Sequence, residues 1–112
     1  MNPSDLYSNT LSSLTTARTS MLSPAWQAAL DTGTPAQRLA ASRELIQVQQ
    51  AILALSNASL ADIANSLQQN EAALTSATTA LQTALNSINN IANVISSIAS
   101  ALQVVAKIVP LL

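Results

Sequence analysis

Residues 60–109 of the chain read LADIANSLQQNEAALTSATTALQTALNSINNIANVISSIASALQVVAKIV. Apolar residues recur through this stretch at alternating steps of three and four, the heptad pattern of a helix that packs along one seam. The seam positions are Leu60, Ile63, Leu67, Asn70, Leu74, Ala77, Leu81, Ala84, Ile88, Ile91, Ile95, Ile98, Leu102, Val105 and Val109. One helix of that length would extend for roughly 75 Å. The sequence therefore predicts a long C-terminal helix on which the other elements pack.

The composition favours an all-α fold. The 112 residues include one glycine, four prolines and no phenylalanine, and 49% of the chain is hydrophobic. Aliphatic residues and alanine dominate, and sequences of this kind favour helices. We expect residues 1–112 to form a single all-helical domain, a helical hairpin or bundle built on the long helix at about residues 60–109.

Three shorter helices are predicted before the long one, at about residues 5–21, 24–30 and 35–56. Ser4 is the expected N-cap of the first helix, and Ser23-Pro24 and Thr34-Pro35 each combine a cap with a proline in the first turn. Gly33 suits a left-handed position at the end of the second helix. These signals predict short helices that are joined by tight turns.

The helix at about 35–56 carries its own heptad stripe. Its members are Ala41, Leu45, Val48, Ile52 and Leu55, with Ile46 and Leu53 beside them. The periodicity stops at residues 56–59, where Ser59 and Asp62 resemble a capping box. We interpret this break as the tip of a helical hairpin.

The two helices of that hairpin differ in length, so part of the long helix would be left uncovered. Folded back, helix 35–56 reaches only residues 60–81. The N-terminal helices could cover the rest, the chain could bend at residues 86–90 to close a four-helix bundle, or other chains could cover it. The unbroken heptad register favours a straight helix. The predicted interaction face then consists of Leu85, Ile88, Ile91, Val94, Ile95, Ile98, Leu102, Val105 and Ile108.

Asn70 is the polar residue within the aliphatic seam. A buried asparagine at such a position can set register or oligomer state by pairing with a counterpart on the facing helix. We therefore expect Asn70 to determine the specificity of the helix packing.

The charged residues offer no recognisable chemistry. The chain has no histidine and no cysteine, and its five carboxylates form no i, i+3 or i, i+4 pair. The usual general bases, nucleophiles and soft metal ligands are therefore missing. Four scattered basic residues provide no cluster for a phosphate backbone. We predict no enzyme activity, catalytic residue, metal site, cofactor, small-molecule substrate or nucleic-acid partner.

The C-terminal stretch also permits a membrane interpretation. Residues 91–112 have the length of a membrane span and one charged residue, Lys107. Asn93, Ser96 and Gln103 nevertheless line one face, which favours an amphipathic helix that lies on a membrane or oligomerises around a polar lumen. The N-terminus lacks a secretory signal peptide, so we expect a cytoplasmic protein or export by a non-classical route.

These observations predict a non-enzymatic structural or interaction protein. It would self-associate, as a homo-oligomer, or bind a larger protein partner through the aliphatic face of its C-terminal helix, for example as a small subunit of a multi-protein apparatus. One alternative is a membrane-active protein that inserts this helix and oligomerises. Another is a monomeric adaptor or inhibitor that masks a groove on its partner.

Overall fold

The chain forms six helices within residues 2–109, the part that the computed structural model describes. They are α1 (Pro3–Met21), α2 (Pro24–Asp31), α3 (Pro35–Asn57), α4 (Leu60–Gln69), α5 (Glu71–Leu85) and α6 (Ile91–Ala106). No β-strand occurs among these residues. The predicted all-α fold and helical bundle are confirmed, whereas the arrangement of the C-terminal half differs from the prediction.

Local caps begin the first three helices. The side chain of Asn2 accepts a hydrogen bond from the backbone N–H of Asp5 (2.8 Å), so Asn2 rather than Ser4 is the N-cap of α1. Ser23 caps α2, and Thr34 begins α3 with a complete capping box. Each of these helices has proline in its first turn, where the missing N–H leaves no helical hydrogen bond unmade.

Gly33 does not adopt the predicted left-handed conformation. No residue from 2 to 109 has a positive φ, and Thr32, the C-cap that follows α2, has a right-handed conformation. Close packing explains why this position suits glycine. A Cβ atom here would lie 2.7 Å from Oε1 of Gln37 and 3.2 Å from Cδ1 of Ile91. The absence of a side chain thus allows the α2–α3 turn to approach the start of α6.

The predicted single helix over residues 60–109 is instead three helices. The first interruption is slight: Asn70 has φ −106° and ψ 15°, and its side-chain Nδ2 donates to the backbone oxygen of Ser66 (2.8 Å). This side-chain bond to the preceding turn competes with regular helix geometry. Because α4 and α5 both pack on α1, the chain is deflected at Asn70 without reversing.

The second interruption reverses the chain. Residues 86–90 form a turn, and Asn90 then caps α6 by accepting from the backbone N–H of Asn93 (3.3 Å). Asparagine and serine favour such turns because their side chains compete for backbone hydrogen bonds. Of the three ways to cover the C-terminal segment, the structure therefore has the bend, and α6 folds back on α5.

The bundle has four main helical segments, which are α1, α3, α6 and the consecutive pair α4–α5. Helix α1 packs on α3, α4 and α5, while α6 packs on α3 and α5. The hydroxyl of Tyr7 donates to the backbone oxygen of Leu55 (2.9 Å), which ties the start of α1 to the end of α3 and shows that the two helices are antiparallel. The short helix α2 crosses one end, where Trp26 is buried.

The core of the bundle is aliphatic and closed by the chain itself. Seam positions from all three C-terminal helices point inward, including Leu67, Leu81 and Ile98. The accessible surface of 5945 Å² is close to the roughly 5,800 Å² expected for a compact monomer of this mass. Intrachain packing therefore buries most of the heptad seam.

Candidate interaction surface

The predicted interaction face on the C-terminal segment lies inside the bundle. Ile91, Val94, Ile98, Leu102, Val105 and Ile108 are buried, and Leu85, Ile88 and Ile95 are half-buried. Helices α3 and α5 of the same chain pack on α6. A partner could reach this face only if α6 left the bundle.

Asn70 lies at the junction between α4 and α5. Its side chain is half-buried and donates to the backbone oxygen of Ser66 in the preceding turn of the same segment. This contact is local, within one stretch of chain. The observed effect of Asn70 is on the path of the helix, and its role in setting the specificity of helix packing stays a prediction.

An apolar row runs along the outside of α3. Leu39, Ile46 and Leu53 are 52%, 56% and 62% exposed. They follow one another at seven-residue steps, so the three side chains lie on one face of the helix over about 21 Å. We call these three residues the outer α3 row.

The outer α3 row faces away from the core. The buried positions of α3 are Ala41, Glu44, Val48, Ala51 and Leu55, half a turn around the helix from the row. Polar residues border the row: Ser42, Arg43 and Gln49 are exposed, and Gln50 is half-buried. Helix α3 is therefore apolar on two opposite sides, and its own bundle covers only one of them.

The sequence contained a signal for this row. Ile46 and Leu53 lie beside the heptad stripe that begins at Ala41. Together with Leu39 they form a second apolar series at seven-residue steps. Spacing alone does not tell which of two apolar stripes faces the core, because both satisfy helical periodicity. The packing of α1 and α6 on α3 decides the matter.

Glu44 is the one residue with a marked electrostatic perturbation among residues 2–109. It is only 7% exposed, and its Oε1 atom has no hydrogen-bond partner within the described part of the chain. Burial raises the pKa of this carboxyl group from 4.5 to about 7, because removal from water disfavours the charged form. The group is thus partly protonated near neutral pH.

The concave features of the bundle are small or shallow. A cleft of about 70 Å³ beside Trp26 is lined by apolar residues that include Met21 and Leu30, and also by Gln27 and Ser42. A wider open groove runs between α3 and α6, beside Gln47 and Gln103. No group of three potential metal ligands occurs within residues 2–109. The carboxylate of Glu44 does not line either of these two features.

Across residues 2–109, the helices are too short or too polar for any of them to cross a bilayer; residues 110–112 of the stretch considered for a membrane lie outside the described range. The chain was also compared with known proteins. No known protein family matches it, and neither does any curated protein or solved structure.

Proposed function

We propose that this chain is a non-enzymatic interaction protein, a helical bundle that binds another protein through the outer α3 row. The observation that carries the proposal is the alignment of Leu39, Ile46 and Leu53 on one exposed face. Scattered single apolar residues are normal on protein surfaces, whereas contiguous patches often mark binding sites. Three large side chains in one helical row are not a random scatter, and they form a seam of the kind along which a second helix packs.

The surroundings of the row support a protein partner. A helix that presents apolar residues at seven-residue steps matches the way in which one helix packs along another. The border of serine, arginine and glutamine provides hydrogen-bond donors and acceptors at the rim, as in protein interfaces. The row lies on a regular helix held by a capping box, so binding requires little ordering of the backbone.

This proposal keeps the predicted class of function and moves the surface. The face on α6 is occupied by the core of the same chain, and its use by a partner would require the bundle to open. The outer α3 row requires no rearrangement. Binding through α3 therefore avoids the loss of core packing that binding through α6 would entail.

A site-specific photo-crosslinker tests the proposal. The amino acid p-benzoylphenylalanine is placed at Ile46, and, as a matched control, at Gln82, which is exposed on α5. In cells of the source organism we expect a discrete protein adduct from position 46 and none from position 82. The adduct should disappear when Leu39 and Leu53 are also changed to lysine, while the helical circular dichroism is retained.

The absence of a discrete adduct at position 46 would contradict the proposal. Equal adducts from positions 46 and 82 would contradict it as well, since they would show non-specific contact. Adducts with lipid in place of protein would favour the membrane alternative.

A further inference from the structure

We propose that the partner of the outer α3 row is a second copy of this chain, docked antiparallel with its Ile46 against Ile46 of the first. The inference rests on the proposed function, because it names the occupant of the same surface. It is carried by the register of the row, the charges beside it and the area it offers.

The row is symmetric about its central residue. Leu39 precedes Ile46 by seven residues and Leu53 follows it by seven. A two-fold axis through Ile46 would therefore set Leu39 of one copy against Leu53 of the other, at both ends of the contact. An isologous interface needs a surface that is complementary to itself in this way, and a row of three evenly spaced aliphatic side chains meets the requirement.

The charges favour the antiparallel orientation. Arg43 is exposed beside the row, while Glu44 points into the core. The other arginine of α3, Arg38, donates to the backbone oxygens of Gly33 (2.8 Å) and Leu30 (3.3 Å). Arg38 and Arg43 lie on opposite flanks of the row, so parallel docking would place Arg43 of one copy near Arg38 of the other, and like charges at a helix interface repel.

Antiparallel docking replaces that repulsion with neutral contacts. Arg43 and Gln50 lie on one flank of the row, and Ser42 and Gln49 lie on the other. The axis through Ile46 brings each flank against the same flank of the second copy, so Arg43 meets Gln50 and Ser42 meets Gln49. Each apolar layer is thus separated from the next by residues that can hydrogen-bond across the interface without a charge conflict.

The area of the row predicts a weak and reversible dimer. The three exposed side chains together offer roughly 300 Å² of aliphatic surface per copy, at the lower end of the area of apolar surface patches on typical monomers. With the polar border, the contact would bury on the order of 1,000–1,200 Å² in total, at the lower end for specific complexes. We expect a dissociation constant on the order of 10–100 µM, since much of the gain offsets the entropy of association.

Cysteine scanning tests the geometry directly, because the natural chain has no cysteine. Three variants carry one cysteine each at a position of the row, L39C, I46C and L53C, and Q82C is the matched exposed control on α5. The variants are oxidised in a glutathione buffer at 50 µM protein. We expect I46C to form disulfide-linked dimers at least tenfold faster than Q82C.

The mixed experiment fixes the orientation. An equimolar mixture of L39C and L53C should give the mixed dimer well above the half that random pairing produces. An excess of L39C–L39C and L53C–L53C dimers would indicate parallel docking and overturn the proposed orientation. If I46C reacts no faster than Q82C, the pairing of two copies is refuted.

Sedimentation equilibrium provides the second measurement. The natural chain at 10–500 µM should show a rising average mass, and I46K should remain monomeric with unchanged helical circular dichroism. Q82K is the control and should associate as the natural chain does. A natural chain that stays monomeric up to 500 µM would overturn the inference.

The two proposals fail in distinguishable ways. If purified chains do not pair but the photo-crosslinker at Ile46 yields an adduct heavier or lighter than two copies, the interaction surface stands and the second copy is wrong. If neither purified chains nor cells yield any contact at Ile46, both proposals fall.

Discussion

Glu44→Gln should stabilise the bundle at neutral and alkaline pH. Glu44 lies on the inner face of α3, almost fully buried, with its Oε1 unpaired within residues 2–109. Glutamine has nearly the same shape and cannot ionise. The substitution therefore removes the free energy of keeping a carboxylate out of water and leaves the packing of the core essentially in place.

The size and sign of the effect follow from the two pKa values. Burial raises the pKa of Glu44 from 4.5 to about 7 in the folded chain, so the folded state holds its proton after the unfolded state has released it. Stability must then fall as the pH rises from about 4.5 to 7, and the loss is complete above that window. At about 1.4 kcal/mol for each pH unit between the two pKa values, the carboxylate costs about 3 kcal/mol at pH 8.

Urea denaturation at pH 4, 6 and 8, followed by circular dichroism at 222 nm, measures this cost. Glu44→Gln should match the natural chain within about 1 kcal/mol at pH 4, where both side chains are neutral. At pH 8 it should be more stable by about 3 kcal/mol, equivalent to roughly 10–15 °C in Tm for a chain of this length. The difference between the two proteins cancels the titration of all other groups.

Glu71→Gln is the matched control. Glu71 lies in the first turn of α5, where the helix dipole favours a negative charge, so its replacement should leave stability unchanged or lower it at pH 8. A stability difference between Glu44→Gln and the natural chain that stays constant from pH 4 to pH 8 would refute the reasoning. It would mean that the Glu44 carboxyl titrates alike in the folded and unfolded states.

Three further substitutions test contacts that hold the bundle together, each by urea denaturation with a circular dichroism check of helix content. Tyr7→Phe removes the 2.9 Å hydrogen bond to the backbone oxygen of Leu55 and should cost about 0.5–1.5 kcal/mol; an unchanged stability would show that water replaces this bond. Gly33→Ala brings a methyl group within 2.7 Å of Gln37 Oε1 and should weaken the α3 capping box by about 1 kcal/mol, whereas a gain in stability would mean that the turn relaxes freely. Trp26→Ala empties the end of the bundle covered by α2 and should cost about 3–5 kcal/mol, and a cost below 1 kcal/mol would contradict the burial of the indole ring.

Local signals were enough to predict the helices of the N-terminal half. Serine and threonine caps followed by proline begin α2 and α3 where the pattern placed them, because a cap depends on residues only three positions apart. The heptad seam of residues 60–109 likewise predicted which apolar side chains pack against other helices. Most of these residues do face the core.

The path of the C-terminal half depended on contacts between distant parts of the chain. The heptad register continues unchanged through the turn at residues 86–90, because the apolar faces of α5 and α6 both pack into the same core. Closing that turn within one chain costs only the entropy of a short loop, whereas covering a straight helix with other chains also costs the entropy of association. The tertiary structure therefore favours the bend that the periodicity opposed.

The candidate interaction surface also depended partly on local sequence and partly on contacts between distant parts of the chain. The sequence by itself determined that the chain is all-helical, that its core is aliphatic and that α3 is apolar on more than one side. Only the tertiary structure decided that Ala41, Val48 and Leu55 are covered and that Leu39, Ile46 and Leu53 are left exposed. The physical reason is that helical periodicity fixes which residues share a face, while exposure of a face depends on which other helices pack against it.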